Sequence, residues 1–120
     1  MKARFEADGD VVVITGGANG IGRALADAVV RAGGRVVICD VDDKAMAEAE
    51  AANALIATRR LDVSDRNAVM TTFADIEKSF GRIDGLVCAA AIQPRNPVHE
   101  TSPEEWRRVL AINLDGVVWC

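Results

Sequence analysis

A glycine-rich turn between an apolar run and a helical pattern constrains the fold of this chain most. The segment TGGANGIG, residues 15–22, follows the β-branched run VVVI and precedes apolar residues at helical spacing. Gly16, Gly20 and Gly22 allow the backbone to turn tightly and to approach a ligand closely. The start of the following helix presents free N–H groups and the positive end of the helix dipole, which suits a phosphate. The segment therefore predicts a phosphate-binding loop made of backbone.

Strand and helix patterns alternate along the rest of the chain. The apolar runs predict strands over Val11–Thr15, 35–39, 56–63 and 86–90. Helices are predicted from Gly20, after the caps Asp42, Ser64 and Ser102, with ends near Gly33, Asn53 and Gly81. The alternation indicates parallel strands covered by helices on both faces. We therefore predict an α/β fold: one Rossmann-like, doubly wound parallel sheet over residues 1–120, with strand order 3-2-1-4. Because the apolar segment INLDGVVWC ends without a cap, we expect the sheet to be truncated at its C-terminal edge, as half of a larger domain.

Composition excludes several classes of function. The formal net charge of −4 argues against a nucleic-acid-binding protein. No apolar run is long enough for a membrane span, and the segment MKARFEADGD lacks the apolar core of a secretory signal, so we expect a cytoplasmic protein. Three scattered cysteines and one histidine, His99, predict neither a disulfide framework nor a metal site. Cys88 is expected to be a small buried apolar residue, and Ser102 a helix cap rather than a nucleophile for His99.

The spacing of the glycines in the loop narrows the choice of phosphate-containing ligands. A nucleotide-hydrolysing P-loop needs G-x-x-x-x-G-K-[ST], but Arg23 and Ala24 follow Gly22 here. The spacing G-x-x-x-G-x-G is a variant of the dinucleotide-binding pattern. Asp40 ends the second apolar run, 18 residues after Gly22, close to the offset of about 20 residues expected for an acid that binds a ribose.

A carboxylate at Asp40 would accept hydrogen bonds from ribose hydroxyls and repel a 2′-phosphate, which favours NAD over NADP. NADP remains the alternative, with Arg23 and Arg35 as the cations that could serve it. The competing interpretation makes Asp40 a strand-end cap. Asp42 and Asp43 are interpreted as a solvated acidic cluster.

With these segments in this order, the chain resembles the short-chain dehydrogenase/reductases from about residue 10 to residue 120. TGGANGIG resembles that family's TGxxxGxG, and LDVS at 61–64 its adenine-contacting turn. FGRIDGLV leads into the fourth strand as in the family, and SPEEWRRVLAINLDGV is similar to its fifth-helix signature. The resemblance implies an oxidoreductase that moves a hydride between a nicotinamide and an alcohol or ketone carbon. It implies roles for nine residues: pyrophosphate contacts at Gly16, Gly20, Ile21 and Gly22, the adenosine ribose at Asp40, adenine at Asp62 and Val63, the nicotinamide ribose at Ala89, and catalysis at Asn113.

Two departures from the family pattern affect the expected chemistry. Residues 88–91 read CAAA where the family has NNAG, so side-chain hydrogen bonds are lost and Ala91 adds a methyl group. The family's catalytic serine and its Tyr-x-x-x-Lys lie C-terminal to the asparagine, whereas this sequence has no tyrosine and all its lysines lie upstream of Asn113. We expect the 120 residues to hold the cofactor half and to be inactive alone, with a homo-oligomer, a dimer or tetramer, when complete. A non-catalytic NAD-binding or interaction module is the alternative, and a truncated piece of an active enzyme is a third.

Overall fold

Four parallel strands form the centre of the molecule. The computed structural model describes residues 5–120, so the first four residues of the predicted domain lie outside it. The strands are β1 (Val11–Thr15), β2 (Arg35–Asp40), β3 (Ile56–Arg60) and β4 (Gly85–Cys88). They pair in the order β3-β2-β1-β4, all parallel, which confirms the predicted order 3-2-1-4. Because every strand runs the same way, their carboxyl ends lie along one edge of the sheet.

Helices connect the strands and cover both sheet faces. They are α1 (Gly20–Arg31), α2 (Asp43–Ala52), α3 (Arg66–Phe80), α4 (Pro103–Leu110) and α5 (Gly116–Trp119). A 3-10 turn, Val98–Glu100, precedes α4, and a π-helical segment, Ala111–Asp115, joins α4 to α5. None of the helices within residues 5–120 combines the length and the apolar character that a bilayer crossing requires.

Side-chain caps fix several helix starts. Asp42 caps α2 by accepting a hydrogen bond from the Ala45 amide, and Ser102 caps α4 through the Glu105 amide at 3.1 Å, both as predicted. The predicted cap of α3 was wrong by one residue. Asp65 caps it by accepting from the Ala68 amide at 3.0 Å, because the Ser64 hydroxyl is engaged elsewhere.

Two predicted strand ends were also wrong. β3 ends at Arg60 instead of residue 63, because the chain turns after Leu61: the Asp65 amide donates to the carbonyl of Asp62 at 3.1 Å. β4 spans Gly85–Cys88 instead of 86–90, and the last ladder contact beyond it is Ala89 N–H to the Thr15 carbonyl at 3.0 Å. In both places apolar residues leave the ladder but remain at least partly buried.

Alternating side chains of the strands supply two cores, one on each face of the sheet. Ile14 and Ile38 are fully buried in the core that α1 and α2 cover. Val13 and Val37, each one residue earlier, are fully buried in the core that α3 covers through Ile76. Since neighbouring side chains of a strand point to opposite faces, continuous apolar strands of this kind suit a sheet that is buried on both sides.

Candidate functional site

A pocket of about 370 Å³ opens at the carboxyl ends of the strands. The glycine loop after β1, the end of β2, the turn after β3, the segment after β4 and the helices after it all contribute to its wall. Six of the nine predicted site residues line it: Gly16, Gly20, Asp40, Asp62, Val63 and Ala89. The other lining residues are Asn19, Cys39, Val41, Leu61, Ala90, Ala91, Ile92, Arg108 and Ile112. The fold therefore brings together segments that lie far apart in the sequence.

The glycine loop follows a path that only glycine permits at two positions. Gly16 and Gly20 have φ of 65° and 56°, in the left-handed region. A methyl group on Gly16 would lie 2.6 Å from Cα of Ala90, and one on Gly22 would collide with the carbonyl oxygen of Gly16. Gly22 is buried and lets α1 pack on the loop, whereas the Ile21 side chain is 80% exposed.

The first turn of α1 keeps its amides available. Asn19 is the N-cap residue, but its side chain makes no capping bond, because Nδ2 donates to Oδ2 of Asp42 at 2.9 Å instead. The first N–H groups of an α-helix have no partner within the helix. The amides of Gly20, Ile21 and Gly22 are therefore free for an anionic ligand at the loop.

The Asp40 carboxylate joins the glycine loop to the turn that follows β2. Its Oδ2 accepts from the Ala18 amide at 3.0 Å, and its Oδ1 accepts from the amides of Val41 at 2.7 Å and Asp42 at 3.1 Å. The strand-end cap and the pocket-lining carboxylate are thus the same group. Because each carboxylate oxygen accepts two hydrogen bonds, Oδ2 keeps one position for a ligand hydroxyl.

The two acids after Asp40 are exposed, as predicted, and each also has a partner. Asp42 caps α2 and binds Asn19; the hydrogen bond from the Ala45 amide, followed by that from Asn19, lowers the pKa of the Asp42 carboxyl below its usual 3.8. Asp43 forms an ion pair of 2.8 Å with Arg60.

Asp62 lies in the turn after β3 as an ionised acceptor. Its Oδ1 accepts from the Ser64 hydroxyl at 2.6 Å and from the Ser64 amide at 2.9 Å, and these bonds lower the pKa of the Asp62 carboxyl below 3.8. The charge of Arg108 adds a smaller effect in the same direction. Oδ2 is left for a ligand donor, and neighbouring Val63 is buried against Gly116.

Asn113 fixes the backbone beyond β4. Its Nδ2 donates to the carbonyl of Ile92 and its Oδ1 accepts from the amide of Ile92, both at 2.9 Å. The side chain lines a neighbouring cavity of about 240 Å³ rather than the main pocket. Asparagine is unfavourable inside a regular helix, and the π-helical segment around Asn113 accounts for its position here.

The sequence-based view missed Asn19, Arg60 and Arg108. Asn19 could have been recognised from the sequence, because it is a polar residue within the glycine-rich loop. The contacts of the two arginines depend on tertiary structure. The two arginines expected to serve NADP have other partners: Arg23 pairs with Asp27 along α1, and Arg35 stacks on a phenylalanine ring at the amino end of β2.

Remaining candidates contribute little chemistry. His99 is exposed beside Glu100, and within residues 5–120 no three histidine, cysteine or acidic side chains converge as a metal site would require. Burial raises the pKa of the Cys39 thiol to about 12 and that of Cys120 to about 11, and it also raises the pKa of Cys88. These thiols are therefore protonated at neutral pH.

Comparison with protein families decides the identity of the chain. The family model described as short chain dehydrogenase matches residues 10–120. The chain belongs to the short-chain dehydrogenase family. The crystal structure of a short-chain dehydrogenase/reductase, glucose/ribitol dehydrogenase, from Brucella melitensis matches 98% of this chain with a TM-score of 0.89 and 35% identity. That match covers 51% of the longer protein.

Curated relatives are dehydrogenases or reductases, and some are named for different substrates and cofactors. A short chain dehydrogenase/reductase, dpfgG, of Gibberella zeae is 41% identical over 88% of this chain and 41% of its own length. The 2-dehydro-3-deoxy-L-rhamnonate dehydrogenase (NAD(+)) of a Sphingomonas strain is 34% identical over 93% of the chain and 45% of its own length. The NADP-dependent (R)-specific alcohol dehydrogenase of Lentilactobacillus kefiri is 39% identical over 91% of the chain and 44% of its own length. The chain thus spans somewhat less than half the length of these relatives.

The role of Asn113 in fixing the backbone of Ile92 can be tested by substitution. Asn113→Asp replaces the Nδ2 donor with an oxygen that faces the Ile92 carbonyl, so we expect amide hydrogen exchange at Ile92 to accelerate about tenfold or more, the equivalent of one lost hydrogen bond. Asn96→Asp, the same change at a residue in the loop that contains Ile92, where the side-chain amide donates to Glu105, is the control and should leave Ile92 unchanged. Equal protection of Ile92 in the wild type and Asn113→Asp would contradict the assigned contact.

Proposed function

We propose that this chain forms the NAD-binding part of an oxidoreductase that transfers a hydride between the nicotinamide and an alcohol or ketone carbon. The observation that carries the proposal is the Asp40 carboxylate, which lines the pocket beside Gly16 and Gly20 with one acceptor position left on Oδ2. That position can accept from one ribose hydroxyl, and the carboxylate charge would repel a 2′-phosphate. The family includes relatives named for NAD(+) and for NADP, so the choice of NAD rests on Asp40.

The residues present fit the adenosine and pyrophosphate portions of a dinucleotide. A side chain at Gly20 would project into the open space of the loop, and the free amides of Gly20, Ile21 and Gly22 can donate to phosphate oxygens. The Asp62 carboxylate can accept from the adenine amino group, with Val63 contacting the ring through its backbone.

The nicotinamide end would lie along the segment after β4. Ala89 offers backbone to the second ribose, and Ala90 is held to the Thr15 hydroxyl at 3.4 Å. Bound NAD supplies the hydride acceptor. Asn113 acts here as a positioning residue, because it holds Ile92 through both amide atoms. Each of those atoms keeps one further hydrogen-bonding position.

Proton transfer requires a group outside this set. The 120 residues contain no tyrosine, and the described pocket has no histidine or lysine in its wall. We therefore propose that the chain binds the cofactor and that the acid–base step depends on residues other than these.

A homo-oligomer is part of the proposal. Four large apolar side chains on α4, α5 and the π-helical segment between them are exposed and could pack against a second copy: Trp106, Leu114, Val117 and Val118. Exposed apolar patches of this kind often mark protein–protein contacts.

Replacing Asp40 tests the cofactor assignment. Asp40→Ala removes a charged acceptor from the ribose hydroxyls, so we expect the Kd of NADH to rise about tenfold or more and the Kd of NADPH to rise less, because the same carboxylate repels a 2′-phosphate. Fluorescence titration of both dinucleotides measures the two constants. Asp27→Ala, an acid on α1 paired with Arg23, is the control and should change neither constant appreciably. Equal weakening of both dinucleotides would remove Asp40 from the ribose site.

A second test asks whether the chain binds NAD without catalysing hydride transfer. The purified 120-residue chain should bind NAD yet produce no NADH above background with small secondary alcohols, because no tyrosine, histidine or lysine lines its pocket and its two carboxylates, Asp40 and Asp62, are assigned to cofactor binding. Absorbance at the NADH band measures the rate, and calorimetry on the same sample measures binding. Steady NADH production would contradict the proposal, whereas absence of both binding and turnover would favour an interaction module.

A further inference from the structure

The turn after β2, residues 40–43, is fixed from two sides. On one side, the Asn19 side chain of the glycine loop donates to Asp42. On the other, Nη1 of Arg60 donates to the Val41 carbonyl at 2.8 Å and lies 2.8 Å from Oδ2 of Asp43. The sheet register explains this reach, because Arg60 at the end of β3 is directly opposite Asp40 at the end of β2. An arginine from a neighbouring strand thus touches the residue that follows the proposed ribose carboxylate.

Arg60 is the arginine that the fold brings to this turn. Among the arginines of residues 5–120, it alone makes a hydrogen bond to residues 40–43. A guanidinium has five N–H donors, so its bond to the Val41 carbonyl leaves others for an anion. Guanidinium groups bind phosphates well through such paired donors.

The charges of the turn keep that guanidinium engaged. Three carboxylates, those of Asp40, Asp42 and Asp43, lie within four residues, and Asp43 is the one paired with Arg60. The side chains of Arg60 and Asp43 are 62% and 71% exposed, so solvent screens their attraction and the pair is of modest strength. A 2′-phosphate would have to compete with Asp43 for this guanidinium.

We propose that Asp43 is a specificity-determining residue of the cofactor site: by pairing with Arg60 at the turn after β2, it keeps that cation from a 2′-phosphate. The inference rests on the proposed dinucleotide function and adds a second determinant to Asp40. Asp40 acts on the ribose hydroxyls directly, whereas Asp43 acts through Arg60.

A double-mutant cycle separates this role from simple removal of negative charge. Four proteins, the wild type, Asp43→Asn, Arg60→Met and the double variant, are titrated with NADH and with NADPH, which differ only in the 2′-phosphate. The readout is the ratio of the Kd for NADPH to the Kd for NADH, which cancels any common loss of folded protein. Asp43→Asn should lower this ratio about fivefold, the scale of an exposed ion pair.

The decisive comparison is the effect of Arg60→Met in the two backgrounds. Because Asp43 already occupies Arg60, Arg60→Met should change the ratio by less than about twofold in the wild type, and raise it about fivefold in the Asp43→Asn background. If Arg60→Met has the same fold effect in both backgrounds, the charges act independently and the proposal is overturned. A lack of change in Asp43→Asn also overturns it.

The neighbouring pair on β3 provides a matched control. Arg59 pairs with Asp75 on α3 at 2.6 Å, so Asp75→Asn and Arg59→Met remove the same chemistry one residue away, outside the turn. Neither should move the ratio by more than about twofold. If the wild type binds neither dinucleotide, the proposed function fails together with this inference. If it binds NADH and the cycle is additive, the inference alone fails.

Discussion

The position of the glycine loop depends on the close approach of Gly16 to its neighbours. Its amide donates to the Cys39 carbonyl of β2 at 2.8 Å, while its Cα faces the backbone of Ala90 so closely that a methyl group would lie 2.6 Å away. The left-handed φ of Gly16 and the lack of space exclude a larger residue. Because Gly22 packs on Gly16 in turn, the start of α1 and its free amides are placed by the same contact.

Asp40 extends this constraint to the rest of the pocket. Its carboxylate holds the Ala18 amide of the loop and the two amides that follow β2, so the loop and the turn form one hydrogen-bonded unit. The position of the loop and the proposed ribose contact therefore depend on the same group. In this account, the site can be formed before a ligand arrives, which reduces the cost of ordering it upon binding.

Much of this arrangement could be predicted from the sequence because its causes are local. Glycine spacing, apolar runs and the caps Asp42 and Ser102 depend on neighbours within a few residues. The errors occurred where local signals competed or where partners were distant. Ser64 and Asp65 are both good caps, and the bond of Ser64 to Asp62 decides between them. The contacts of Asn113 with Ile92 and of Arg60 with the turn after β2 join residues about 20 positions apart, which no local pattern encodes.

We propose that backbone amides of the glycine loop and the Asp40 carboxylate together bind the adenosine diphosphate portion of a dinucleotide. Amide NMR spectra of the chain titrated with ADP-ribose test it most directly, since this ligand lacks the nicotinamide. We expect saturable shifts at residues 16–22, 40–42 and 62–63, while the amides of α3 around Asp75 remain unchanged. Saturable shifts that spare the glycine loop and Asp40, or no shifts at millimolar ligand, would contradict it.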